Sequence, residues 1–216
     1  SGCGRFGTFF CAPCHSTCTP AVGAGRCKHC SAEWEGSDNC PRCFNMQAVD
    51  SVVAAFEMHG PARRAVHRLK YGRVRAAALP MSAHLQQALD GAAFDYAVAV
   101  PLHPSRQRSR GFNQAAALLA PLHYTPLPGN LRRVVKTAQQ VGSSMRERRR
   151  NIADAFAYQG PTLDGATILL VDDVVTTGAT VEACARVLKD HGARHVYVAA
   201  FARASYKPGS DAPIED

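Results

Sequence analysis

Apolar residues run without a break from Ile168 to Val171 and stop at two adjacent carboxylates, Asp172 and Asp173. An uninterrupted run, rather than an alternating one, is the pattern of a strand buried on both faces of a parallel sheet. The pattern predicts a strand over Ala166 to Val171, a Thr/Gly turn over Thr176 to Thr180, and a helix from Val181 to His191 that stops at Gly192. An earlier stretch repeats this order. Asp95 to Val100 reads as a strand ended by Pro101, a polar loop follows, and Asn113 to Leu122 resumes helical spacing with Ala115, Leu118, Leu119 and Leu122 in line. Ala48 to Phe56, Asp154 to Tyr158 (edge-like) and His195 to Phe201 have strand composition. Pro61 to Tyr71 reads as a helix with Ala62, Ala65, Val66 and Leu69 on one face and Gly72 as its stop. Val74 to Leu89 is helical, with an interruption expected at Pro80. Strands alternating with helices predict an α/β fold with a doubly wound, mostly parallel sheet.

The chemistry gathers where the central strand ends. In open α/β sheets, ligands bind at the carboxyl ends of the strands. Val174 and Val175 lead from the carboxylates into Thr176, Thr177, Gly178, Ala179 and Thr180. Amides at the start of the following helix lack intrahelical acceptors and sit at the positive end of its dipole. Gly178 allows close approach of a ligand, and the Thr hydroxyls add donors. These groups make a phosphate cradle. Asp172 and Asp173 can accept hydrogen bonds from sugar hydroxyls or help hold Mg²⁺. The stretch therefore reads as a ribose-phosphate site, against the blander reading of a strand–turn–helix with an acidic cap. In the earlier loop, Pro101, Leu102 and His103 precede Arg106, Arg108 and Arg110, whose forked guanidinium groups suit a pyrophosphate. Arg63, Arg64, His67, Arg68 and Lys70 on the helix over Pro61 to Tyr71 are either a solvated face or a grip on an anionic ligand.

Cysteine usage adds a second element. Eight of the nine cysteines precede residue 44: Cys3, Cys11, Cys14, Cys18, Cys27, Cys30, Cys40 and Cys43. Three CxxC pairs stand out, 11/14, 27/30 and 40/43. Two such knuckles complete a tetrahedral zinc shell. The segment has few large apolar residues, so zinc would supply folding energy that a core cannot. One or two structural Zn²⁺ are expected. Cys27, Cys30, Cys40 and Cys43 form the best closed set. Cys3, Cys11 and Cys14 need a fourth ligand, either Cys18 or a Cys upstream of Ser1; pairing 11/14 with 27/30 is the alternative. His15 and His29 read as solvated bystanders, and Cys184 as a core residue with Val181 and Leu188 at helical spacing. Redox CxxC pairs are the competing reading, but they normally come singly on a βαβ pattern that is absent here.

The totals change the picture little. The 216 residues carry a formal charge of +8, which favours phosphates, nucleic acid or another acidic partner. No apolar run is long enough to span a membrane. The chain opens at Ser1 without a Met, so a trimmed start is expected and targeting is left open.

Ile168 to Thr180 resembles the 5-phosphoribosyl 1-diphosphate (PRPP) motif of type I phosphoribosyltransferases, in which four hydrophobic residues precede two acids and a Thr-Gly-x-Thr turn grips the 5′-phosphate. The resemblance then narrows. ValProLeuHis from Val100, ArgGlyPheAsnGln from Arg110, Leu69-Lys70-Tyr71 and the cysteine knuckles resemble the ComF family of competence-associated, phosphoribosyltransferase-like proteins, in the same order along nearly the whole chain. Residues 131–151 carry seven cationic side chains and one acid, and Arg133, Thr137, Gln140, Ser144, Glu147, Arg148 and Asn151 match that family's pattern; Ser143 replaces its usual Leu. The resemblance implies that this segment, with Arg146 and Arg148, is a flap closing over pyrophosphate; contact with nucleic-acid phosphates and a solvated amphipathic helix are the competing readings.

These readings imply a zinc-binding head over residues 1–45, a core of the type I phosphoribosyltransferase kind over 46–206, and a flexible tail over 207–216. The implied ligand is PRPP or ribose 5-phosphate with Mg²⁺. Asp172 and Asp173 would be catalytic, and Lys70 would join the pyrophosphate group. The family resemblance implies a cytoplasmic role in DNA uptake during natural transformation, without membrane insertion. Two function classes stand: a phosphoribosyltransferase of unknown acceptor, or a catalytically inactive adaptor that binds single-stranded DNA or partners a competence helicase and other DNA-uptake proteins.

Overall fold

The computed structural model describes residues 10–36, 40–41, 43, 46–135 and 154–204. Four parallel strands form the central sheet: β1 (Ser51–Glu57), β2 (Tyr96–Ala99), β5 (Thr167–Val175) and β6 (His195–Arg203), in the order β1-β6-β5-β2. The apolar run at Ile168 is explained by this order. β5 lies between β6 and β2, and Ile168, Leu169, Leu170 and Val171 are fully buried. Burying each such side chain contributes roughly 1.5–3 kcal/mol.

Helices cover both faces, which makes the sheet doubly wound. On one face, Leu169, Val171, Ala199 and Phe201 pack with α2 (Gly60–Tyr71), α3 (Ala78–Leu89) and α5 (Gln114–Leu119). The apolar stripe of α2 is Ala62, Ala65, Val66 and Leu69, at the spacing that keeps side chains on one helical face. On the other face, Ile168, Leu170, Val198 and Ala200 pack with α6 (Ala179–Asp190), with Leu131, Phe156 and Tyr158, and with Cys30, Cys40 and Met46. Leu131 belongs to β3 (Asn130–Arg133), which pairs antiparallel with β4 (Phe156–Gln159) as a separate two-stranded ribbon. The cysteine segment, which includes the short helix α1 (Ala12–Ser16), is thus continuous with the core of the sheet.

Several local expectations change. Pro80 does not interrupt the second helix. A 3₁₀ turn over Arg75–Ala77 leads directly into α3, and Pro80 falls in the first turn, where its missing N–H would have had no helical partner. The arginine loop contains α4 (Pro104–Arg110), started by Pro104 and closed by Gly111 at φ +83°. β5 does not end at Val171; its pairing with β6 runs through Asp172 to Val175. β3 has no counterpart in the sequence reading. As expected, neither His15 nor His29 joins the metal-capable group among the described residues, but both make contacts within the fold. His15 stacks on His84 at 4.7 Å and 9°, and His29 Nε2 lies 2.7 Å from the Val49 carbonyl oxygen. Cys184 is a core residue, fully buried. Cys3, Arg146 and Arg148, the flap from residue 136, and the tail over 207–216 lie outside the described residues.

Candidate functional site

β5 carries its two carboxylates to the carboxyl edge of the sheet. Asp173 is buried, and its Oδ1 lies 3.4 Å from Lys70 Nζ, in the last turn of α2. Asp172 is half-buried and accepts a hydrogen bond from the Asp173 amide at 2.8 Å. Burial, then the charge of Asp173 beside it, pushes Asp172 up to about 7; Lys70 and Arg110 pull the other way. Two adjacent acids at this half-buried edge are held by a cationic surround, and burial and their mutual repulsion favour a proton on Asp172.

Helix α4 divides the three arginines by burial, and the charge of Arg110 acts on Asp172. Arg106 and Arg110, four residues apart, share one face and are half-buried, whereas Arg108 is exposed. Arg110 lies over the Tyr71 ring at 5.7 Å and donates to Gln114 Oε1 at 3.3 Å. Arg73 donates to the Ser109 carbonyl at 2.9 Å, fastening the end of α2 to α4. Asn113 caps α5 by accepting from the Ala115 and Ala116 amides, and its Nδ2 donates to the Val100 carbonyl at 2.9 Å. The ArgGlyPheAsnGln segment thus pins α4 and α5 to the end of β2. His103 caps α4, its Nδ1 accepting from the Ser105 amide at 3.2 Å; Pro101 and Leu102 lie half-buried between β2 and α4.

Arg133 on β3 completes the surround. It lies over the Phe156 ring at 5.3 Å, and burial and then the charge of Arg106 push it down, with Cys184 and Asp172 opposing. Its position comes from the ribbon, which no local pattern announced, although Arg133 matched a family position.

Past Val174 and Val175 the chain turns. Thr176 and Thr177 are exposed, Gly178 caps α6 at φ +82°, and the Thr177 hydroxyl accepts from the Ala179 amide at 3.4 Å. Ala179 and Thr180 open the helix, half-buried. The turn offers hydroxyls and helix-start amides beside the carboxylates, so an anion at the turn and a polyol over the acids can be held together.

The cysteines divide. Sulfurs of Cys27, Cys30, Cys40 and Cys43 all lie within 4.8 Å of one another, with Cys27–Cys43 at 3.3 Å and Cys30–Cys40 at 3.9 Å. Four thiolates around a tetrahedral zinc stand about 3.8 Å apart, so this set fits the metal. Pairing 11/14 with 27/30 is thereby excluded. Cys11 and Cys14 sulfurs are 3.4 Å apart, but the Cys18 thiol donates to the Cys14 carbonyl, and among the described residues this group gathers no third metal ligand. Cys18 is buried in the opposite core cluster.

A parallel sheet with a Thr/Gly turn and paired acids at its edge is the arrangement of a phosphoribosyltransferase-type protein. Consistent with this, residues 109–215 match the phosphoribosyl transferase domain family. The chain is 32% identical over 190 residues to DNA utilization protein YhgH of Salmonella typhi, covering 83% of this chain and 77% of that protein. It is 34% identical over 148 residues to Competence protein F of Haemophilus influenzae, with 65% and 61% covered. It is also 26% identical over 190 residues to Competence protein ComFC of Streptococcus pneumoniae, with 79% and 84% covered. The chain belongs to the ComF family. Among the described residues, no helix is long and apolar enough to cross a membrane.

Proposed function

We propose that this protein binds PRPP or ribose 5-phosphate, with Mg²⁺ accompanying the diphosphate, and acts in the handling of incoming DNA. The observation that carries the ligand reading is the juxtaposition of Asp172 and Asp173 with the Thr176–Thr180 turn on one side and Lys70 on the other. The turn takes the 5′-phosphate, the carboxylates take the ribose hydroxyls, and Lys70, Arg106 and Arg110 take the pyrophosphate, with Arg133 beside them. Arg146 and Arg148 belong to the proposed flap. The four-cysteine centre takes zinc as a structural ion. Placement in DNA uptake rests on the names of the relatives, DNA utilization protein and competence protein, and the cytoplasm is the compartment proposed with it.

In the transferase reading, an acceptor's lone pair attacks the anomeric carbon as its bond to pyrophosphate breaks. Pyrophosphate leaves with that electron pair, and the cations neutralise the charge that develops on it. A second reading is favoured by one feature. Arg63, Arg64, His67, Arg68, Tyr71, Arg73 and Arg75 are all exposed on and just after α2, a basic stripe with a stacking ring that suits single-stranded DNA. Titration of PRPP with Mg²⁺, with pyrophosphate release followed with and without single-stranded DNA, separates the readings. Binding with release supports the transferase; binding without release supports the adaptor. No PRPP binding in either condition overturns the ligand assignment.

A further inference from the structure

The cysteine centre and the phosphate turn are fastened to each other by contacts that neither site needs for its own chemistry. Arg203, at the end of β6, is 2% exposed. Its Nε donates to the Cys30 carbonyl at 2.9 Å. Its Nη1 donates to the carbonyls of Val175 at 2.9 Å, of Ala204 at 3.4 Å and of Thr176. One guanidinium therefore holds a cysteine knuckle and the first two peptide groups of the phosphate turn. Among the described residues Arg203 makes no ion pair with a carboxylate. A buried cation is costly without a counter-charge. Four thiolates around one divalent ion would carry net negative charge, and the Arg203 guanidinium is held beside them through the Cys30 carbonyl.

A second contact comes from the other knuckle. The Met46 amide donates to the Cys43 carbonyl at 2.8 Å, which sets the course of the chain out of the centre. The Met46 side chain is buried against Gly178, where an added Cβ would lie 2.5 Å from Met46 Sδ. Glycine is thus required at residue 178 twice over, by φ +82° and by the side chain the cysteine segment places there. A third fastener follows two residues on. The buried Glu182 carboxylate, in the first turn of α6, accepts from the Ala48 amide at 3.1 and 3.0 Å and from the Val49 amide at 3.2 Å.

We propose that Arg203 is a positioning residue which, with Met46, sets the shape of the Val175–Gly178 turn from the metal-loaded cysteine centre, so that metal retention and ligand affinity at the turn are coupled. The ligand half of this statement rests on the reading under Proposed function. Coupling between sites is reciprocal, and its usual size is roughly 5–150-fold. Zinc in the centre therefore tightens ribose 5-phosphate, and ribose 5-phosphate raises the affinity for zinc by the same factor.

The test uses the full zinc-loaded chain. Hydrogen exchange is measured at the amides of residues 176–180, with residues 168–171 as an internal reference, before and after chelation, in wild type and in Met46→Ala, Arg203→Met and Arg203→Lys. Zinc affinity is measured by equilibrium competition with a chromogenic chelator, with and without ribose 5-phosphate. In wild type, chelation is expected to speed exchange at 176–180 about tenfold or more. Met46→Ala keeps its zinc, shows the same loosening, and loses the gain in zinc affinity from ribose 5-phosphate; Arg203→Lys recovers part of what Arg203→Met loses. Where chelation opens the whole sheet, or Arg203→Met does not fold, zinc-loaded Met46→Ala decides. Faster exchange at 176–180 with 168–171 unchanged supports the coupling, and unchanged exchange at both overturns it. If wild type binds no ribose 5-phosphate while exchange at the turn still follows zinc, the ligand reading falls and the coupling stands.

Discussion

Replacing Asp172 with Asn should make the protein more stable at neutral pH while weakening its ligand site. Asp172 stands at an ordinary 3.8 when solvated and at about 7 in the fold, because burial and the neighbouring Asp173 disfavour its charge. The sign follows from proton binding. Between these two values the unfolded chain loses a proton that the native protein keeps, so wild type loses stability as pH rises from about 4 to about 7 and changes no further above that. At about 1.4 kcal/mol for each factor of ten, the span corresponds to about 4 kcal/mol. Water at this half-buried edge screens the charge, so roughly half of that is expected to appear. Asn has no proton to lose. The assay is urea unfolding of both proteins in magnesium-free buffer across pH 5 to 8.5, comparing differences so that effects of pH on the cysteine centre cancel. Only about two of the three pH units of that span lie within the assayed range, so the variant should gain about 1.3 kcal/mol relative to wild type across it, or about 3–5 °C in melting temperature. Parallel stability curves would refute the reasoning, since they would mean that Asp172 enters the fold without an electrostatic cost.

Lys70→Met leaves buried Asp173 without its cation; a loss of about 3 kcal/mol is expected by denaturation, with ribose 5-phosphate binding at least tenfold weaker by calorimetry. Chelation of the zinc proposed for the four-cysteine centre should open residues 10–46 to proteolysis, because the metal would be what ties the two knuckles to each other and their contacts with the sheet core do not replace that link, and Cys40→Ser should reproduce this at lower chelator concentration. Leu170→Ala removes a fully buried side chain from the central strand and should cost about 3 kcal/mol, read as a fall of roughly 6–12 °C, with ligand affinity preserved in the folded fraction.

The parts legible in the sequence are those whose determinants are contiguous. The central strand, the acid pair and the phosphate turn lie within thirteen residues, Ile168 to Thr180, so the apolar run, the charges and the glycine speak for one another. Helix α2 shows its buried stripe because a repeat near 3.6 residues marks a face directly. The boundaries were harder. Asp172 and Asp173 look like a strand end because adjacent acids are poor strand formers, yet backbone pairing with β6 carries β5 on to Val175. Ordinary tertiary support, including Lys70 against Asp173, overrides that local preference. In the same way, Arg106, Arg108 and Arg110 look equivalent in a loop, but the helix they form half-buries Arg106 and Arg110 and leaves Arg108 exposed.

By itself the sequence determined the fold class, the Thr/Gly turn beside the paired acids and the presence of cysteine pairs that could hold a metal, because each depends on residue types at short, regular spacings. Only the tertiary structure decided which partners meet across long separations. It grouped Cys27 and Cys30 with Cys40 and Cys43, brought Lys70 to Asp173, placed Arg133 by a ribbon whose second strand lies more than twenty residues on, and ran the Arg203 side chain between Cys30 and Thr176. Those contacts are fixed by how the sheet orders its strands and which face each helix covers, and chain spacing carries no record of either.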